Sequence, residues 1–199
     1  NFKLVSVNTA RYDTTKHLAT PVISDAKVGL QKISEALGDW KAPDDWYKRA
    51  IKEKNEWDAY VEKQSGPTNQ EEPSYAHAVG AVYRNSDPSD IVVTAAGGLV
   101  GEVVQVWKPK QLNTFETEWG FSCMGYEISG ALGIKMAKPD QDVVVFVGDG
   151  SYLLNNTDIY SSVIYDQKLI IIVCDNGGHM VINRLQLAKG GKEYICNLR

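Results

Sequence analysis

Two short, uninterrupted apolar runs constrain this chain more than anything else in it: Val143-Val144-Val145-Phe146-Val147 and Leu169-Ile170-Ile171-Ile172-Val173-Cys174. Neither alternates apolar with polar side chains, so neither reads as a half-solvated strand. Such β-branched runs belong to strands covered on both faces, the habit of parallel sheets. The segment between them is long enough for one crossover helix, which a parallel pair requires. A βαβ unit follows, and it places the loops after both strands side by side at the carboxyl ends, where open α/β sheets bind ligands. Those loops are Gly148-Asp149-Gly150-Ser151 and Asp175-Asn176-Gly177-Gly178. One offers a carboxylate, Asp149, and the other a side-chain amide, Asn176. Two oxygen donors beside backbone left open by glycine suit a magnesium ion bridging to phosphate. The bland alternative is a strand-to-helix turn that uses Asp and Gly for conformation alone.

The rest of the chain fits around that unit. Residues 2–7 alternate as a half-buried strand, Pro21-Val22-Ile23 suggests another, and Asp25 precedes a helical pattern (Val28, Leu30, Ile33, Leu37) that Gly38 ends. From Pro43 to about Lys63 a second helix carries Trp46, Tyr47, Ala50, Ile51, Trp57, Tyr60 and Val61 at helical spacing, a stripe read as packing against a neighbour. Gln64–Gln70 reads as linker. Beyond it, Ser74 is placed to cap a helix bearing Tyr75, Val79 and Val82. Ile91–Ala95 reads as a strand running into Gly97-Gly98, and Val100–Trp107 as a short helix. Thr114-Phe115-Glu116 is expected at the edge of the next strand, and Ile128–Met136 as a helix of small residues. A crossover helix is expected around Asp158–Tyr165.

Net charge is −4, which argues mildly against a nucleic-acid groove, and no apolar run approaches the roughly 20 residues that span a bilayer. The three cysteines, Cys123, Cys174 and Cys196, are scattered without metal-like spacing, which suggests a reducing, cytoplasmic setting. Cys174 is expected in the core.

The thiamine-diphosphate-dependent enzymes carry Gly-Asp-Gly followed, some two dozen residues on, by Asn. Here residues 151 to 175, 25 positions, separate Gly150 from Asn176. The chain resembles that superfamily. Gly148–Leu153, Ile182-Asn183-Arg184-Leu185-Gln186 and Glu118–Glu127 look like its branch of trihydroxycyclohexane-1,2-dione hydrolases, which act in myo-inositol breakdown.

The resemblance implies an α/β fold: a parallel sheet with flanking helices forming a diphosphate-binding domain, preceded by the tail of a middle Rossmann-like domain. In those terms residues 1–38 are the middle-domain tail, 39–70 a helical linker, and 71–199 the diphosphate domain, cut short at its C-terminus. It also implies thiamine diphosphate and Mg²⁺ as cofactors, the metal held by Asp149, Asn176 and the Gly178 carbonyl. Gly148, Gly150 and Ser151 would meet the phosphates at the start of the crossover helix. Gly97 and Gly98 read either as a further diphosphate contact or as an ordinary turn. Met124 matches the apolar residue that props the cofactor into its bent shape, with core filling as the alternative, and Gly120 and Ser122 are near enough in sequence to share that pocket. His179 could face substrate, although relatives carry an aromatic there. Glu127 reads as a surface pair, and His17 and His77 as surface or structural residues. The glutamate that activates the cofactor falls outside this chain in such enzymes, so no catalytic residue is assigned and the chain alone is expected to be inactive. A homodimer or homotetramer and a small cyclic diketone substrate are implied, with no nucleic-acid or membrane partner. An acetohydroxyacid-synthase-like decarboxylation or ketol transfer, and a non-catalytic phosphate-binding or assembly module, are the competing readings.

Overall fold

The computed structural model describes residues 3–198. The chain divides into two compact units, the first ending at Lys54 and the second starting at Asn55. The first holds a two-stranded parallel sheet, β1 (Val5–Asn8) and β2 (Thr20–Ile23), linked through the one-turn helix α1 (Arg11–Thr14). Phe2, expected in the first strand, lies outside the described residues. Helix α2 (Ala26–Leu37) starts where Asp25 accepts the Val28 N–H at 3.1 Å and stops at Gly38, whose φ is +55°. It lies close on β1: a Cβ on Gly29 would sit 2.8 Å from Val7 Cγ1. Its apolar residues Val28, Leu30 and Leu37 nevertheless stay exposed.

Helix α3 (Asp44–Ser65) runs across the division between the units. Only the end of its expected apolar stripe is covered: Val61 is buried, whereas Trp46, Tyr47, Ile51, Trp57 and Tyr60 remain exposed. Trp57 and Tyr60 stack on each other, with ring centroids 5.6 Å apart.

The second unit is the α/β body. Helix α4 (Tyr75–Asn85) leads into β3 (Ile91–Thr94), α5 (Leu99–Val106), β4 (Phe115–Thr117), α6 (Tyr126–Ala137) and β5 (Val143–Gly148). Then follow α7 (Asp149–Leu154), α8 (Asp158–Ile164), β6 (Ile170–Cys174) and α9 (Met180–Ala188). All four strands of its sheet are parallel, in the order β4-β3-β5-β6. Ser74 caps α4, accepting the His77 N–H at 3.3 Å while His77 Nδ1 accepts the Ser74 N–H at 3.1 Å, so His77 serves as a cap.

The absence of alternation in the strands has a direct cause. Val92, Val144 and Phe146 pack on one side with Val79, Val103 and Trp107 from α4, α5 and the residue after α5. Ile91, Val93, Val143, Val145 and Val147 pack on the other with Ile128 and Ala131 of α6. With helices on both faces, period-2 patterning has no solvent side to encode. Cys174 belongs to the first of these clusters, and burial pushes its thiol up to about 11.

Two expectations change here. The crossover is two short helices, α7 and α8, broken at Asn155–Thr157, in place of one. And β6, as apolar as β5, lies at the edge of the sheet: Ile170–Ile172 are half-buried and Val173 is 42% exposed.

Candidate functional site

The register Gly148↔Cys174 brings the ends of β5 and β6 level, so their loops emerge together. Between them and the loop after β3 lies a cavity of about 380 Å³, within the range of small-molecule sites. Of the residues placed at the site from sequence, all but Gly120 line it. Gly97 and Gly98 come from the β3 loop, Ser122 and Met124 from the loop before α6, and Gly148, Asp149, Gly150 and Ser151 from the β5–α7 turn. Asn176, Gly178 and His179 come from the loop after β6.

The donor set is oxygen-rich. Asp149, the first residue of α7, accepts the Gly150 N–H through Oδ1 at 2.9 Å, the one oxygen it commits among the described residues. Asn176 Oδ1 accepts the Gly178 N–H at 3.3 Å, and the Gly178 carbonyl accepts the Met180 N–H at 2.9 Å. Each of these oxygens has a second lone pair for a ligand. Among the described residues no group of three or more His, Cys, Asp and Glu side chains converges as a metal site. One carboxylate with neutral carbonyl oxygens and phosphate is the set a hard divalent ion accepts.

The loop after β6 is held from its far side. Gly178 bridges antiparallel to Asn197, His179 N–H donates to the Cys196 carbonyl at 2.7 Å, and Leu198 N–H donates to the Gly177 carbonyl at 2.8 Å. Gly178 is required there twice over: its φ is +150°, and a Cβ would lie 2.2 Å from the Cys196 carbonyl oxygen. The Ile182–Gln186 segment divides by role. Ile182 lines the cavity, whereas Asn183 Nδ2 donates to Asn197 Oδ1 at 3.0 Å and Gln186 Oε1 accepts the Tyr194 N–H at 2.9 Å. Asn183 and Gln186 therefore tie the 194–197 strap in place.

Sequence reasoning missed Tyr75, Leu99 and Val181 as wall residues. Leu99, Met180, Val181 and Ile182 make much of the lining apolar, and Tyr75 belongs to it too. Burial, reinforced by Cys174 and by the Asp149 carboxylate, pushes the Tyr75 phenol up to about 12. At neutral pH it is an O–H donor, as an unperturbed phenol would be. A helix pattern marks Tyr75 as core; no local signal shows that the first residue of α4 reaches a cavity. The His179 ring lies against the Gly150 backbone, where a Cβ would come within 2.4 Å of its Cε1.

The largest departure concerns Glu127. It is no surface residue: it is 1% exposed and accepts hydrogen bonds from Ala96 N, Gly125 N and Ser151 Oγ. Glu118 plays a related part outside the core, accepting the Phe121 N–H at 2.9 Å and the Cys123 N–H at 2.8 Å. These two bonds hold its carboxyl below the usual range. Both acids bracket the loop that presents Ser122 and Met124.

Residues 95–198 match the thiamine pyrophosphate enzyme family, C-terminal TPP-binding domain. The whole chain is similar to curated proteins named 3D-(3,5/4)-trihydroxycyclohexane-1,2-dione hydrolase. It is 33% identical to that of Lacticaseibacillus casei over 99% of this chain and 34% of the relative. It is 34% identical to that of Geobacillus thermodenitrificans over the same shares, and 33% identical to that of Bacillus licheniformis over 100% of this chain and 35% of the relative. The chain thus spans about a third of the length of these relatives. The matched segment starts at the end of β3 and takes in all three loops after β3, β5 and β6 that wall the cavity: the chain belongs to the thiamine pyrophosphate enzymes, through their C-terminal TPP-binding domain.

Proposed function

We propose that the protein carrying this sequence is a thiamine-diphosphate- and Mg²⁺-dependent C–C hydrolase that opens trihydroxycyclohexane-1,2-dione to 5-deoxy-glucuronic acid in myo-inositol breakdown. The observation that carries the reading is the meeting of Asp149, Asn176 and Gly178 in one cavity at the carboxyl ends of neighbouring strands. The residues present fit the diphosphate end of the cofactor: an oxygen donor set for the metal, and glycine at 97 and 148, where nothing stands within 4 Å of a Cβ position, with Gly98 and Gly150 beside them. Asp149, Asn176 and the Gly178 carbonyl would hold Mg²⁺. Gly97, Gly98, Gly150 and Ser151 would lie along the phosphates, and Met124 would support the ring system.

Bound thiamine diphosphate supplies the carbanion-type chemistry that cleaves a C–C bond next to a carbonyl. The chain's own residues bind and orient. Leu99, Met180, Val181 and Ile182 would give the bound cofactor an apolar wall. Tyr75, protonated at neutral pH, also lines the cavity. The activating glutamate, and with it turnover, belongs to sequence beyond these residues, and the intact protein acts as a homodimer or homotetramer in the cytoplasm.

Calorimetry on the intact protein tests the reading. Thiamine diphosphate should bind only with Mg²⁺, and Asp149→Ala or Asn176→Ala should weaken binding roughly 10–100-fold. Metal-independent binding, or none, would overturn it. Consumption of the dione in place of pyruvate condensation separates the hydrolase from an acetohydroxyacid-synthase-like enzyme.

A further inference from the structure

Glu127 is the most deeply buried charged side chain among the described residues. A carboxylate at 1% exposure gives up nearly all its hydration, and no cation lies within ion-pair distance of it among the described residues. What compensates it is three converging donors: Ala96 N–H at 3.1 Å, Gly125 N–H at 2.9 Å and the Ser151 hydroxyl at 3.0 and 3.1 Å to its two oxygens. Ser151 Oγ in turn lies 3.0 Å from the Gly125 N, so the three groups close a ring. Each donor belongs to a different wall. Ala96 precedes Gly97-Gly98, Gly125 follows Met124, and Ser151 sits on the turn that carries Asp149. Glu127 itself does not line the cavity. An apolar residue of similar size would fill the same space without the desolvation cost, but it would leave the buried Ala96 N–H without its acceptor and the Gly125 N–H with Ser151 Oγ alone.

We propose that Glu127 is a positioning residue: its carboxylate fixes the mutual spacing of three of the four loops that line the cavity, those after β3, before α6 and after β5, so that this part of the site stands preformed before a ligand enters. The effect on cofactor affinity rests on the function proposed above; the spacing of the loops does not. Preforming the walls matters because loops ordered only on binding draw that entropy from the ligand's affinity.

The test uses the intact protein and two variants. Glu127→Gln keeps the shape but supplies one acceptor oxygen and turns an N–H₂ toward a donor, so either the Ala96 N–H loses its acceptor or the Gly125 N–H is left with Ser151 Oγ alone. Ser151→Ala removes only the hydroxyl and guards against misfolding of the first variant. In ligand-free protein, amide exchange at Ala96 or Gly125 should accelerate about tenfold or more in Glu127→Gln, while core amides such as Val79 and Val145 keep their protection. With Mg²⁺ present, the Kd for thiamine diphosphate should rise roughly 10–100-fold, the worth of one hydrogen bond to a charged acceptor. Ser151→Ala should give a smaller rise, and the double variant less than the product of the two. Unchanged exchange at both amides, or faster exchange spread evenly over the core, overturns the proposal. A wild-type protein that binds no thiamine diphosphate overturns the functional reading instead, and the exchange data then still decide whether Glu127 spaces the loops.

Discussion

Gly150→Ala tests whether the contact between the Gly-Asp-Gly turn and His179 is as tight as the structure has it. A Cβ at position 150 would sit 2.4 Å from His179 Cε1 and 2.6 Å from Nδ1. Ordinary carbon contacts are about 3.5–4.0 Å, so ring and helix must separate by more than about 1 Å. The His179 backbone cannot give way freely, because its N–H is bound to the Cys196 carbonyl at 2.7 Å. The ring has to swing or α7 has to shift, and overpacking of this kind costs about 1–3 kcal/mol. Working against that, Ala gains up to about 1 kcal/mol over Gly in a helix, and position 150 lies inside α7 without a positive φ. The net loss in the native background should therefore be about 0–2 kcal/mol. In a His179→Ala background the clash is gone and only the helical gain remains, so the sign reverses. Urea unfolding of wild type, both single variants and the double variant closes the cycle, with an expected coupling of about 1–3 kcal/mol. A coupling below about 0.5 kcal/mol would refute the contact, because Gly150→Ala would then act alike whether or not the ring is there.

Alkaline pH should loosen the fold through Cys174 and Tyr75, whose folded pKa values are raised to about 11 and about 12. A raised folded pKa stabilises below the unfolded value and loses that contribution as pH rises. Stability should thus fall from about pH 9 to 11 for the thiol and on toward 12 for the phenol, and Cys174→Ala should flatten the first part of a pH series of melting temperatures. At the exposed loop, Glu118 has the opposite sign: its two backbone bonds lower its pKa, so the order it gives Phe121 and Cys123 holds at neutral pH and is lost on acidification through its folded pKa, as amide exchange can read. Partial desolvation and the Glu118 carboxylate also raise the Cys123 thiol, so Glu118→Gln should speed its alkylation near pH 8.

What the sequence made legible follows a physical division. Apolar patterning reports burial, and the runs at 143–147 and 169–174 therefore identified a parallel pair and, through it, the position of Asp149 and Asn176. Glycines and short polar residues report loops, so the lining residues were found as loop residues. Glu127 was not, because its partners Ala96 and Ser151 lie 31 and 24 positions away, and an acid in the first turn of a helix is already accounted for by the helix dipole. Nothing within a few residues of it distinguishes a solvated carboxylate from a buried one. Tyr75 was hidden the same way, as one apolar position in a helical pattern that serves equally for core and cavity wall. The break between α7 and α8 and the edge position of β6 depend on neighbours in space and leave no local mark.

The cavity and the core rely on different forces. The sheet is held by apolar contacts on both faces, whereas the lining loops after β3, before α6 and after β6 depart from regular structure: φ is positive at Gly97, Ser122, Gly125, Gly177 and Gly178. Such turns free backbone N–H groups from ladder partners, and here side chains take them up. Glu118 accepts from Phe121 and Cys123, Glu127 from Ala96 and Gly125, Asp175 from Gly177, and Asn176 from Gly178. Three of these four acceptors are carboxylates, so the loops around a site read as holding a diphosphate and Mg²⁺ are themselves organised by anionic side chains pointing at backbone. The negative charge needed to order the loops is thereby spent on N–H groups. Asp149 is the acid that lines the cavity itself, where a divalent ion would meet it.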